Sequence, residues 1–200
     1  MSVHSDLFHQ MYADSPDPWS LTDRWYDQRK YAITMASLPQ SRYRTAFEPG
    51  CSIGVLTAQL GARCDQLLAW DTVPSAVETA AARTADLPGV AVELGTVPEE
   101  WPSGLFDLIV ISEFGYYLDA SRLDKLIEQT VASLDLEGEL VVAHWRHPIP
   151  DCSLRGDDVH QAFDAHPSLA RLARHEEDDF LLDVHTRTPA RSVAAREGLC

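Results

Sequence analysis

The stretch "AFEPGCSIG", Ala46 to Gly54, sets a carboxylate, Glu48, ahead of Gly50, Cys51, Ser52 and Gly54. A glycine at the end of an apolar run serves a tight turn that needs positive φ or no Cβ. A second small residue four positions later lets a helix start in close contact with its neighbour. About 20 residues beyond the loop, Asp71 closes the run "QLLAWD". A carboxylate at the tip of a second strand accepts hydrogen bonds from ribose hydroxyls. Capping of the helix that starts near Pro74 is the alternative role for Asp71.

The dinucleotide fingerprint GxGxxG would need glycine at 50, 52 and 55, and this chain has Ser52 and Val55 there. A dinucleotide presses a bulky pyrophosphate against the loop, so the backbone must come very close. S-adenosyl-L-methionine has no phosphate, and a small serine can lie beneath its ribose and methionine parts. The glycine spacing therefore suits the GxGxG loop of S-adenosylmethionine enzymes with its middle glycine replaced, and that compound is the expected cofactor. The rival is a nicotinamide-dependent oxidoreductase. Its short-chain members need a YxxxK pair after the fourth strand, whereas the YxxxK of this chain, Tyr26 to Lys30, lies upstream of the loop.

These residues need elements to hold them. "TAFEPG", "QLLAWD", "VAVELG", "LFDLIVISE" and "GELVVAHW" read as strands, alternating with helical patterns in "IGVLTAQLGA", "PSAVETAAARTAD" and "SRLDKLIEQTVASL". Such alternation predicts an α/β fold with a mostly parallel sheet covered by helices on both faces. Proline fits the first turn of the second of these helices, and Ser121 is the expected cap of the third. Upstream, "SLTDRWYDQRKYAITMASLP" predicts a helix capped by Ser20 or Thr22, ended by Pro39, and packed through Trp25, Ile33 and Ala36. Near the end, "VHQAFDAH" predicts a helix, and "LARLARHEEDDFLLDVHTR" a C-terminal antiparallel hairpin around an acidic turn. The expected division is residues 1–40 as a helical lid, 41–188 as the main domain and 189–200 as a tail.

Composition narrows the partners. The 200 residues are 45% apolar with a formal net charge of −15. That charge argues against a nucleic-acid backbone or an anionic membrane and fits a neutral or cationic substrate. Cys51, Cys64, Cys152 and Cys200 form no CxxC pair, which predicts free thiols in a reducing compartment. The first residues lack a signal-peptide core, and no window nears a membrane span. A cytoplasmic protein is expected.

From about Phe8 to Arg187 the chain resembles class I S-adenosylmethionine-dependent methyltransferases of the nodulation protein S type. The resemblance rests on "FEPGCSIG" with Asp71, and more specifically on "DPWSLTDRWYDQRKYAITMASLP", "FDLIVISEFGYYL" and "VVAHWRHP". Members of that family N-methylate the amino group of a partly deacetylated chitooligosaccharide. The resemblance implies a Rossmann-like fold with a seven-stranded sheet and a small-molecule or oligosaccharide acceptor. It implies that Glu48, Gly50, Cys51, Ser52 and Gly54 form the cofactor loop, that Asp71 binds ribose, and that Thr72 and Val73 lie beside adenine. Thr96 and Val97 flank adenine on the other side, with Thr96 standing where many relatives have aspartate. Ser112 and Glu113 lie near the methionine part and the acceptor. Trp19, Tyr26 and Arg29 belong to the lid, with Arg29 positioned to pair with the methionine carboxylate.

Methyl transfer requires the acceptor to be held in line and water excluded. An amine must also be neutral to attack, so a carboxylate or imidazole can take its proton. Glu113 is the first catalytic candidate. His144 and His147 of "HWRHP" are further candidates as bases or hydroxyl partners, with Trp145, Tyr116 and Tyr117 offering flat faces for a sugar. The HxxH spacing lacks the third ligand and helical spacing of a zinc site, so no metal is expected. N-methylation of an amino sugar or similar small amine is the expected activity. O-methylation, or a cofactor-binding module without turnover, is the alternative.

Overall fold

The computed structural model describes residues 3–200, so the first two residues of the expected lid segment lie outside the described residues. The chain order is α1 (Val3–Asp14), α2 (Trp25–Ser37), β1 (Tyr43–Pro49), α3 (Val55–Gly61), β2 (Cys64–Asp71), α4 (Pro74–Arg83), β3 (Val90–Leu94) and β4 (Phe106–Ser112). A 3-10 turn (Gly115–Tyr117), α5 (Ala120–Ser133), β5 (Leu134–Trp145), α6 (Gly156–Asp164), β6 (Leu169–Glu176), β7 (Phe180–Arg187) and α7 (Val193–Arg196) follow.

The strands form one seven-stranded sheet in the order β3-β2-β1-β4-β5-β7-β6. The first five are parallel, and β7 pairs antiparallel with both β5 and β6. The alternation of short apolar runs and helices thus gives the expected α/β sheet, and the acidic turn after β6 returns the chain as the expected hairpin. β4 and most of β5 are fully buried, for example Ile109, Ile111, Leu140 and Val142 at 0% exposure. That is why these runs read as continuous rather than alternating apolar segments. The strand order reverses between β1 and β4, so the crevice at their carboxyl ends is where a ligand fits.

Three local expectations are corrected. Arg24 precedes α2 in extended conformation with no side-chain cap, so neither Ser20 nor Thr22 caps it. Asp119, not Ser121, caps α5, its carboxylate accepting the Arg122 amide. The buried face of α2 carries Asp27, Lys30, Tyr31 and Thr34, while Trp25 is 72% exposed. This polar face can turn inward because its charges pair with each other and with β4. Helix α1 lies over the β1–α3 turn, where Tyr12 packs with Ile53, Val73 and Ala76, with Phe8 and Trp19 against that cluster.

Candidate functional site

A cavity of about 1230 Å³ opens at the carboxyl ends of β1, β2, β4 and β5, roofed by residues of α1, α2 and the segment between them. The β1–α3 turn forms its floor. Gly50, Ser52 and Gly54 take φ of +74°, +53° and +77°. All three positions of a GxGxG loop therefore hold the left-handed conformation, and Ser52 occupies it without being glycine. The two flanking glycines are also demanded by contact. A Cβ on Gly50 would sit 2.9 Å from the Phe114 ring, and one on Gly54 would sit 2.9 Å from Ala80 Cα, where α3 meets α4.

Asp71 holds the strained serine. Its Oδ2 accepts the Ser52 amide at 2.8 Å and its Oδ1 the Val73 amide at 3.0 Å. Asp71 lines the cavity. Burial raises its pKa, although the backbone donors oppose this. The Ser52 hydroxyl is taken by Tyr12 Oη at 2.5 Å. Glu48, 3% exposed at the end of β1, has one oxygen with no hydrogen-bond partner. Burial pushes its pKa up to about 8.

Around the far wall, Thr72 and Thr96 share a hydrogen bond at 3.0 Å and line the cavity with Val73 and Val97. Ser112, Glu113, Trp19 and Tyr26 line it as well, as do Tyr116, Tyr117 and Trp145. Glu113 also sits at positive φ, +61°. Its Oε1 accepts from Lys30 Nζ at 2.7 Å, and its Oε2 accepts from Tyr116 Oη at 2.5 Å and the Trp145 amide at 3.0 Å.

Four expected site residues lie elsewhere. Arg29 is not in the cavity wall; it makes a two-pronged pair with Glu177 at 2.8 and 2.6 Å, because its side chain faces the β6–β7 turn. The cations near that end of the cavity are Arg24 and Lys30. His144 is wholly buried behind the site, where its Nε2 accepts the Gly115 amide at 3.1 Å. Burial, with His160 beside it, lowers its pKa well below the usual range, so it stays neutral. Because Nε2 accepts, Nδ1 carries the hydrogen and donates to His160 Nε2 at 3.3 Å. His160 Nδ1 then donates to Asp183 at 2.6 Å. His147 is exposed and pairs with Asp179. Gly54 also stays out of the wall and acts through packing.

Sequence reasoning passed over Tyr12, Asp27 and Lys30. The signal for the last two was the helical spacing of the polar face of α2 and the Tyr26 to Lys30 pair itself. Nothing local marks Tyr12. Outside the cavity, Asp164, Asp183 and His185 bring three potential metal-ligand atoms together, but the Arg171 and Arg174 guanidiniums already sit on the two carboxylates. Among the described residues no helix is long and apolar enough to cross a membrane.

The cavity suits a cationic nucleoside. Seven acidic and three basic side chains line it. Buried oxygens of Glu48, Asp27 and Tyr26 in its wall have no hydrogen-bond partner.

Residues 2–159 match the family model for nodulation protein S (NodS). The nodulation protein S of Rhizobium tropici is 30% identical over 137 residues, covering 68% of this chain and 57% of that protein. The one from Sinorhizobium fredii is 30% identical over 137 residues, covering 68% and 63%. The match thus spans less than two thirds of the length of these curated relatives. Among solved structures, one from Pseudomonas syringae, provisionally assigned as a methyltransferase, shares 46% identity at a TM-score of 0.73, covering 82% of this chain and all of that one. The N-methyltransferase NodS of Bradyrhizobium japonicum, solved with S-adenosyl-L-homocysteine, has the same fold at a TM-score of 0.81, with 24% identity over 94% of this chain and all of that one.

Proposed function

The chain belongs to the nodulation protein S family, and from that premise we propose that it is an S-adenosylmethionine-dependent methyltransferase acting on the amino group of an amino sugar or similar small amine. The observation that carries this reading is the loop of three left-handed residues, Gly50, Ser52 and Gly54, braced by Asp71 at the edge of an acidic cavity. A pyrophosphate would be repelled by this wall, whereas a sulfonium is drawn to it. The cavity also has room for an acceptor beyond a nucleoside-sized ligand.

In this reading Asp71 receives the ribose hydroxyls. Thr72, Val73, Thr96 and Val97 enclose the adenine, and Gly50, Cys51 and Ser52 run beneath the ribose and methionine parts. Helix α1 and Trp19 close over them and exclude water. When bound, the cofactor supplies a methyl on a sulfonium; the acceptor nitrogen forms the new bond to carbon while the carbon–sulfur pair leaves with sulfur. The aromatic faces of Tyr116, Tyr117 and Trp145 hold the acceptor, and the carboxylates of the wall favour a cationic one. The four free thiols fit a reducing cytoplasmic setting.

The test is transfer of a labelled methyl from S-adenosylmethionine to chitooligosaccharides with one free amine and to their fully N-acetylated forms. Labelling of the free-amine form alone is expected. Transfer to a hydroxyl of the acetylated form would replace the reading by O-methylation. Cofactor binding without transfer to any of a broad set of amines and alcohols would leave a binding module.

A further inference from the structure

Buried, unpartnered oxygens of Glu48, Tyr26 and Asp27 in the cavity wall are left without a role by the methyl-transfer reading. Asp27 is 3% exposed; its Oδ1 accepts from Lys30 Nζ at 3.2 Å, and its Oδ2 is buried with no hydrogen-bond partner. Arg24 Nη1 stands 3.9 Å from that oxygen, beyond hydrogen-bond reach, on a side chain that is 54% exposed. The adjoining Tyr26 hydroxyl is also buried and unpartnered, and both residues line the cavity. A carboxylate oxygen taken from water without a donor is unfavourable. Its presence in a ligand-sized cavity marks a place that a ligand completes.

Glu113 is the more heavily bonded of the two carboxylates. Three donors from fixed elements already occupy it: Lys30 on Oε1, and Tyr116 with the Trp145 amide on Oε2. Lys30, 3% exposed, joins the two carboxylates. Burial pulls its pKa down, but Glu113 and Asp27 raise it by more, so it remains cationic. Lys30 is shared between the two carboxylates, and the oxygen left without a hydrogen bond is Asp27 Oδ2.

We infer that Asp27 Oδ2 binds an ammonium at the point of methyl transfer, and that Asp27 rather than Glu113 removes the acceptor's proton. The acceptor ammonium gives one proton to Asp27 Oδ2 and keeps the N–H bonding pair as the lone pair that attacks. The carboxylic acid returns that proton to water when the product leaves. Entry requires the end of Arg24 to move aside, and a half-exposed contact of this kind is weak. Lys30 and Glu113 position Asp27. The inference rests on the methyltransferase reading.

The test uses two ligands that differ at one point. Sinefungin carries an amine where the cofactor carries its methyl, and S-adenosylhomocysteine carries nothing there. Calorimetric titration of the full chain is expected to show Asp27→Asn weakening sinefungin by about tenfold or more while S-adenosylhomocysteine changes by less than about threefold. Glu113→Gln should leave the ratio of the two affinities within about threefold. Equal losses for both ligands in Asp27→Asn, or no loss for either, overturn the inference. A wild-type chain that binds neither ligand removes the methyltransferase reading itself, and the inference falls with it. A crystal structure of the wild type with sinefungin decides without any variant. Its amine should lie within about 3.2 Å of Asp27 Oδ2, and a separation beyond hydrogen-bond reach overturns the assignment.

Discussion

Tyr12 Oη lies 2.5 Å from Ser52 Oγ, so the one non-glycine position among the three left-handed residues of the loop is bonded to helix α1. Serine is more than a tolerated substitute for glycine here: it supplies the hydroxyl that ties the covering helix to the floor of the cavity.

Removing that tie should loosen the cover and leave the fold intact. Tyr12→Phe loses one partly buried hydrogen bond, about 1 kcal/mol. The free protein should melt only about 2–4 °C lower. S-adenosylhomocysteine should bind about fivefold more weakly, with the change in its dissociation rate. Stopped-flow displacement checks this, and an unchanged dissociation rate would show that α1 does not gate the loop.

Glu48 makes stability depend on pH in a defined sense. Its pKa is raised from 4.5 to about 8 by burial. A raised carboxylate contributes stability that is whole below 4.5 and is lost as pH rises through 8. Glu48→Gln removes this titration. Wild type should therefore lose a few kcal/mol relative to the variant between pH 5 and pH 9, measured by urea unfolding. A constant difference across that range would contradict the burial argument.

Arg29 and Asp71 separate a surface pair from a braced loop. Arg29→Ala breaks a partly exposed pair with Glu177. It should cost less than about 1 kcal/mol and leave the Kd of S-adenosylhomocysteine unchanged. Asp71→Ala strands the Ser52 and Val73 amides, so it should cost about 2–4 kcal/mol and abolish the rise in Tm caused by that ligand. A large loss of affinity in Arg29→Ala would restore its expected role at the methionine carboxylate.

The two histidines should behave differently. His147 is exposed on Asp179, and His147→Ala should alter stability by no more than about 0.5 kcal/mol and transfer rates by less than about twofold. His144→Ala removes a buried ring and the acceptor of the Gly115 amide, at about 2–4 kcal/mol. Because folding lowers the His144 pKa below 6.5, its contribution is present above 6.5 and lost as pH falls. Part of the acid sensitivity of unfolding should accordingly vanish in this variant, as thermal melts at pH 5 and pH 8 would reveal.

Much of the fold was legible because its cues are short-range. The apolar run of β4, Pro74 at the first turn of α4 and the acidic turn after β6 each act over a few residues. Caps were less legible. Ser20, Thr22 and Ser121 all have the right chemistry, but Asp119 lies two residues before Ser121 and captures the start of α5. On α2, Ile33 packs on the core as its hydrophobicity suggests, but Trp25 and Ala36 face outward, and Asp27 and Lys30 go inside because Glu113 is there to receive them.

The sequence by itself determined the left-handed β1–α3 turn and the layering of the sheet. Glycine at 50 and 54 and a small residue at 52 set which backbone angles are accessible, and alternating apolar runs set strand and helix wherever the chain packs. Tertiary structure alone decided which polar atoms are spent and which are free. Ser52 meets Tyr12 across 40 residues, Lys30 meets Glu113 across 83, and Gly115 meets His144 across 29. Those pairings tie Glu113 to α2, bury His144 and leave Asp27 Oδ2 open. A hydrogen bond needs two groups within about 3 Å at a suitable angle, and for partners so far apart in the chain only the packed fold sets that distance.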